Sequence, residues 1–84
     1  MSPPRAISVP ALRSWMSRTL AVHAGTEPAV ISTSAPFTDF GVDSVFVLGW
    51  CTDLEDAFGI EVDPALVWEH PSIEALARYL AGAA

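Results

Sequence analysis

The sequence has no lysine, one cysteine and no apolar run of the roughly 20 residues that a transmembrane helix requires. A single cysteine, Cys51, excludes an internal disulfide, and two histidines with one cysteine argue against a structural zinc site. We therefore expect no metal and a reducing, cytoplasmic location. The first ten residues hold Arg5 and a proline-broken apolar pattern, which is not that of a signal peptide.

Basic residues are scarce and stand near the two ends of the chain. The four arginines are at positions 5, 13, 18 and 78, whereas all ten acidic residues lie between Glu27 and Glu74, and the formal net charge is −6. A central acidic surface disfavours nucleic acids and anionic membranes, because phosphates are bound by Lys and Arg. It favours a basic protein partner, although acidic charge can also serve solubility alone.

The size of the chain allows one small domain. Its 84 residues are 51% hydrophobic, which excludes intrinsic disorder for the body of the chain. We expect a flexible leader over residues 1–7 and one domain over residues 8–84. The Met1 start and the proline-rich leader fit either a free protein or a module trimmed from a longer one.

Apolar residues at helical spacing predict a first helix over residues 9–23. Ser8 is its expected N-cap and Gly25 its end, because glycine readily adopts the left-handed conformation that terminates helices. Residues 25–43 then form a long loop, and long ordered loops are usually functional. Four apolar residues are expected to anchor this loop to the core: Val30, Ile31, Phe37 and Phe40.

A second predicted helix begins at Asp43 or Ser44 and ends before Gly59. At about 100° per residue, its apolar face carries Phe46, Val47, Trp50, Cys51, Leu54, Ala57 and Phe58. The opposite face carries Ser44, Val45, Leu48, Gly49, Thr52, Asp53, Glu55 and Asp56. We therefore expect Val45 and Leu48 to be exposed apolar residues, and the three acidic side chains to project into solvent.

The end of the chain predicts two more helices, separated by Pro71. Asp63 is the expected cap of a short helix over residues 65–68, and Ser72 that of a fourth helix that stops at Gly82. Three main helices, one short helix and no strand pattern predict an all-α four-helix bundle. A bundle of this size is expected to leave no room for a deep ligand pocket.

No group of residues has the composition of a catalytic site. His23 and His70 lie in separate segments with no neighbouring nucleophile, so structural roles are expected for both. Cys51 falls on the apolar face of the second helix, where a small buried residue is expected.

The residues before the second helix are more informative. Gly41 permits a tight turn, Asp43 can cap the helix, and Ser44 presents its hydroxyl from the first turn. The positive end of the helix dipole favours an attached phosphate there, although a serine that only caps a helix is the commoner case.

The segment Asp39-Phe40-Gly41-Val42-Asp43-Ser44-Val45 resembles the D-x-G-x-D-S-L/V signature of acyl carrier proteins. Residues 54–60 resemble the end of the family's second helix, and residues 67–73 resemble the junction of its third and fourth helices. The resemblance covers residues 9–82. An aspartate before the serine favours an acyl over a peptidyl carrier, and the His-Pro-Ser junction is similar to that of polyketide synthase carriers.

The resemblance implies that Ser44 bears 4′-phosphopantetheine and that Asp43 belongs to the motif read by a phosphopantetheinyl transferase. The protein would be a monomeric carrier rather than an enzyme, presenting acyl or polyketide thioesters to ketosynthases and other acyl-processing enzymes. The implied partner-binding residues are Val45, Leu48, Asp53, Glu55 and Asp56. Gly49 stands where the family commonly has a glutamate, so we expect a more apolar contact near the arm.

Two alternatives remain at this point. Ser44, five intervening residues and Trp50 resemble a subset of polyketide carriers in which a hydroxymethylglutaryl-synthase-like enzyme introduces a β-branch, but Trp50 also fits a core packing role. The chain as a whole could instead be a helical docking or adaptor domain whose acidic second helix binds basic proteins and whose Ser44 is never modified.

Overall fold

The computed structural model describes residues 7–83, which form four helices and two 3₁₀ turns. The helices are α1 (Val9–Ala24), α2 (Ser44–Phe58), α3 (Ala65–Glu69) and α4 (Ile73–Ala83), and the 3₁₀ turns are Pro28–Val30 and Phe37–Phe40. No strand forms within residues 7–83, where one isolated bridge joins Pro36 to Ser72. The predicted all-α bundle of three main helices and one short helix is confirmed.

Most helix ends lie where the capping residues predict them. The side chains of Ser8, Asp43 and Ser72 each accept a hydrogen bond from the backbone N–H three residues on, as N-caps do. Asp63 accepts a hydrogen bond from the Ala65 N–H (2.9 Å) at the start of α3, which runs to Glu69, one residue further than predicted.

The predicted end of α4 at Gly82 is wrong, because the helix continues to Ala83. A glycine inside a helix costs only about 1 kcal/mol relative to alanine. The buried residues Leu76, Ala77 and Leu80 hold α4 against the rest of the bundle, and this packing outweighs that cost.

The predicted leader over residues 1–7 lies outside the described residues except for Ile7. That residue is half-buried and packs against the core.

Aromatic side chains between α1 and α2 form the centre of the core. Trp50 stacks on Trp15 and on Phe46, with ring centroids 6.2 and 5.4 Å apart, and meets Phe37 edge-on at 5.3 Å. The indole N–H of Trp50 donates a hydrogen bond to the Thr19 hydroxyl at 2.8 Å. This contact satisfies the polar atom of a side chain that is only 3% exposed, and it joins α2 to α1.

The long loop between α1 and α2 is ordered and tied to the start of α4. Ile31 and Phe37 are buried and Phe40 is half-buried, as predicted, whereas Val30 is 68% exposed. Val30 ends a 3₁₀ turn that has no buried residue, whereas Ile31 follows that turn in an extended conformation and is buried. The Phe37 N–H donates to the Pro71 carbonyl (2.8 Å), which fixes the loop against the α3–α4 junction.

The sequence predicts no deep ligand pocket, and the structure has an open groove. A groove of about 330 Å³ lies between α3, the second half of α4 and the connection after α2. It is lined by Ile60, Glu61, Leu66, Tyr79, Leu80 and Ala83. It forms because α3 has only five residues and leaves the last turns of α4 partly uncovered. Within residues 7–83, every helix is too short or too polar to cross a bilayer.

Candidate functional site

The backbone between residues 41 and 44 turns sharply into α2. Gly41 ends the turn Phe37–Phe40 in the left-handed conformation, with φ at 72°. No neighbouring atom would obstruct a side chain at this position, so glycine is favoured here by the backbone angle. Val42, which follows, is buried and anchors the turn to the core.

Asp43 and Ser44 form the first residues of the helix start. The Asp43 carboxylate accepts a hydrogen bond from the Phe46 N–H at 2.8 Å, and the Asp43 carbonyl accepts one from the Val47 N–H at 3.0 Å. Ser44 is the first residue of α2 and is exposed. None of the hydrogen bonds among residues 7–83 occupies its hydroxyl, which therefore remains accessible at the positive end of the helix dipole.

His23 contacts this turn from the last residues of α1. Its ring stacks on Phe46, with centroids 4.0 Å apart, and its Nε2 lies 3.2 Å from the Gly41 carbonyl oxygen. Because a carbonyl oxygen only accepts, Nε2 is the donor. The sequence predicts a structural role for His23, but its contact with Gly41 has no local signal, because the two residues are 18 positions apart.

The exposed face of α2 begins with apolar residues and continues with acidic ones. Val45 is 81% exposed and Leu48 is 60% exposed, which confirms the helical phase inferred from the sequence. Asp53 and Asp56 are also exposed.

Glu55 differs from the expectation that it projects freely into solvent. It is half-buried, and its carboxylate accepts a hydrogen bond from the Val62 N–H at 2.8 Å. Val62 is buried in the connection after α2, where its backbone N–H needs a partner. Glu55 therefore holds this connection, and a docking surface on α2 has Asp53 and Asp56 as its freely exposed acids.

Comparisons with known proteins identify the family of the chain. The family described as "Phosphopantetheine attachment site" matches residues 12–80. The chain belongs to this family. Its members carry covalently attached 4′-phosphopantetheine and act as carriers rather than catalysts. The exposed hydroxyl of Ser44 at a helix N-terminus suits such a phosphate ester.

The relatives include both polyketide synthases and free carrier proteins. The chain is 34% identical over 73 residues to the polyketide synthase ThaG of Burkholderia thailandensis, which covers 87% of this chain and 1% of ThaG. A free-standing peptidyl carrier protein of Acinetobacter baumannii is 32% identical, with a TM-score of 0.84 over 93% of this chain and 98% of that one. An acyl carrier protein of Anabaena is 26% identical, with a TM-score of 0.86 over 99% and 94%.

These similarities place the chain among carrier domains of the polyketide synthase type. They also fit the helical bundle described above. The chain spans only 1% of the length of ThaG, so what such a synthase makes is a property of a much larger protein.

The only thiol of this carrier domain, that of Cys51, is not suited to bear an acyl group. Cys51 is buried on the inner face of α2. Burial, followed by the nearby negative charges of Glu55 and Asp63, raises the pKa of the Cys51 thiol to about 11. The thiolate is the reactive form, and it is scarce at neutral pH in this environment.

We expect the Cys51 thiol to resist alkylation in the folded protein. At pH 8 a thiol of pKa about 11 is ionised in about one molecule in a thousand, and burial further limits access. Intact mass after iodoacetamide treatment at pH 8 should show no adduct in buffer and one adduct in denaturant.

Because the folded-state pKa of Cys51 lies above the ordinary value of 9.0, the free energy of unfolding should also fall as the pH rises from about 9 to 11. Rapid alkylation in buffer would contradict both expectations.

Proposed function

We propose that this chain is an acyl carrier domain in which Ser44 bears the phosphopantetheine arm and presents acyl or polyketide intermediates to successive synthase enzymes. The observation that carries the proposal is the exposed Ser44 hydroxyl at the N-terminus of α2, within a segment that the family match covers. The bound group supplies the thiol on which the acyl thioester forms. The aspartate at position 43 supports an acyl rather than a peptidyl carrier. The location that we propose is the reducing cytoplasm, since the single cysteine cannot form an internal disulfide.

The residues around Ser44 hold the attachment point and leave it open to enzymes. Asp43 binds the backbone N–H of Phe46 and so fixes the first turn of α2. Val42 and Val47, on either side, are buried and join this turn to the core. A phosphopantetheinyl transferase would therefore meet a serine in a preformed conformation, which reduces the ordering cost of docking.

We expect incubation with coenzyme A and a broad-specificity phosphopantetheinyl transferase to add one phosphopantetheine to the wild-type protein. The exposed Ser44 hydroxyl is the expected acceptor, so Ser44→Ala should show no added mass. Ser32→Ala is the matched control, because Ser32 is also an exposed serine but lies in the loop between α1 and α2. This variant should be modified as the wild type is. Intact-mass spectrometry measures the result.

An unchanged wild-type mass would favour the competing function, a docking or adaptor domain with an unmodified serine. Modification that persists in Ser44→Ala would place the attachment elsewhere. Either result would overturn the proposed role of Ser44.

The exposed face of α2 is the proposed docking surface for the transferase and for ketosynthases. Val45 and Leu48 offer an apolar contact within one turn of Ser44, and Asp53 and Asp56 add negative charge further along the helix. Gly49 lies between these two groups and presents no side chain. Complementary partners would present basic residues around an apolar centre, and opposite charge accelerates their encounter.

We expect Asp53→Arg/Asp56→Arg to lower the association rate with the transferase about ten-fold at low salt, because electrostatic steering is lost. The matched control is Glu27→Arg/Glu69→Arg, which changes the net charge equally at two exposed positions outside α2. It should have a much smaller effect. Stopped-flow measurements at low and high salt separate the two variants, and equal rates for both would contradict a docking role for the acidic face.

A finer proposal concerns Trp50, whose spacing from Ser44 resembles that of β-branching carriers. Its indole occupies the centre of the contact between α1 and α2. The side chain therefore influences how α2 lies on the bundle, and with it the surface that a hydroxymethylglutaryl-synthase-like enzyme would contact.

We expect Trp50→Leu to fold and to accept phosphopantetheine, since leucine keeps the position apolar. Its acetoacetyl form should nevertheless be a poorer substrate for a branching synthase than the wild-type protein, because α2 loses the hydrogen bond to Thr19. Phe58→Leu is a suitable control. It also removes an aromatic neighbour of Trp15, but Phe58 is the last residue of α2, at the end away from Ser44. Equal turnover of Trp50→Leu and wild type would limit Trp50 to a packing role.

A further inference from the structure

The geometry points to His23 as a positioning residue for the attachment turn, residues 41–44, through the hydrogen bond that it donates to the Gly41 carbonyl. This inference rests on the proposed modification of Ser44. His23 belongs to the last turn of α1 and is far from Ser44 in sequence, yet it contacts the chain on both sides of that serine.

Two contacts define this position. The imidazole Nε2 lies 3.2 Å from the oxygen of Gly41, three residues before Ser44. The same ring stacks at 4.0 Å on Phe46, two residues after Ser44, with 28° between the ring planes. One side chain from α1 therefore touches both the entry to the turn and the first turn of α2.

The two residues that His23 contacts are held to different degrees by the rest of the site. Phe46 is already held, since its N–H donates to Asp43 and its ring stacks on Trp50. Gly41 is held by fewer contacts. It has no side chain, and its N–H donates one long hydrogen bond, of 3.3 Å, to the Thr38 carbonyl. The hydrogen bond from His23 thus holds a glycine, the residue type with the greatest backbone freedom. Loss of this bond is expected to broaden the conformations that the turn samples.

The position of His23 allows this role to be separated from stability. The side chain is exposed, so its substitution leaves the buried core of α1 unchanged. His23→Phe keeps a ring on Phe46 but removes the donor. His23→Gln keeps an N–H that can reach the Gly41 carbonyl but removes the ring, and His23→Ala removes both.

The kinetic test measures phosphopantetheine transfer to the four proteins at a temperature where circular dichroism shows each fully folded. His23→Phe and His23→Ala should raise the KM for the carrier about five-fold, equivalent to about 1 kcal/mol, with kcat unchanged. KM should rise without a change in kcat because the transferase binds only the fraction of carrier molecules whose turn is ordered. His23→Gln should stay close to wild type, which a general loss of packing would not produce.

A second measurement needs no transferase. In ¹³C-labelled unmodified protein, the carbonyl carbon resonance of Gly41 should move in His23→Phe and stay in place in His23→Gln, because this shift reports the hydrogen bond. A wild-type KM for His23→Phe, or a KM for His23→Gln as high as that of His23→Ala, would overturn the role of His23 while leaving carrier function intact. A wild-type protein that is never modified would instead overturn the proposed function, and this inference with it.

Discussion

The contact between α1 and α2 is centred on one buried side chain, that of Trp50. Its ring packs against Trp15, Phe37 and Phe46, and its N–H bonds to Thr19. A buried indole without a partner for its N–H would be costly. The hydrogen bond to Thr19 therefore specifies the orientation of the buried ring. Together with the Trp15–Phe58 and His23–Phe46 contacts, Trp50 helps to set the rotation of α2 about its axis. The exposed face of the helix then presents the serine, the two apolar residues and the acids together.

The proposed attachment point is built mainly from backbone geometry. A left-handed glycine, an extended aspartate cap and a buried valine bring the chain into α2, so that Ser44 is the first helical residue and faces solvent. In the proposed function, this serine is offered to a transferase, and the arm that it bears is then offered to synthase enzymes. An exposed hydroxyl on a rigid helix start meets that need without a pocket, because the enzymes supply the catalytic groups.

Charge in this bundle is arranged by the fold as well as by composition. Glu74 pairs with Arg13 at 3.1 Å and with Arg78 at 2.9 Å, which places two of the arginines beside the start of α4. Partly exposed pairs of this kind contribute little to stability. They do engage positive charge away from α2, where Asp53 and Asp56 remain exposed. The exposed face of α2 therefore carries negative charge that neither of these two arginines neutralises.

The sequence by itself determined the features that depend on local chemistry: the helix starts at Ser8, Asp43 and Ser72, the end of α2 at Gly59, and the motif around Ser44. Caps and apolar spacing act over a few residues, so they can be read directly from the chain. Only the tertiary structure decided that Val30 is exposed, that Glu55 binds the Val62 N–H, that α4 passes Gly82, and that a groove opens beside α3. It also brought His23 to Gly41. These features join residues distant in sequence or reflect competition with packing, and neither has a local signature.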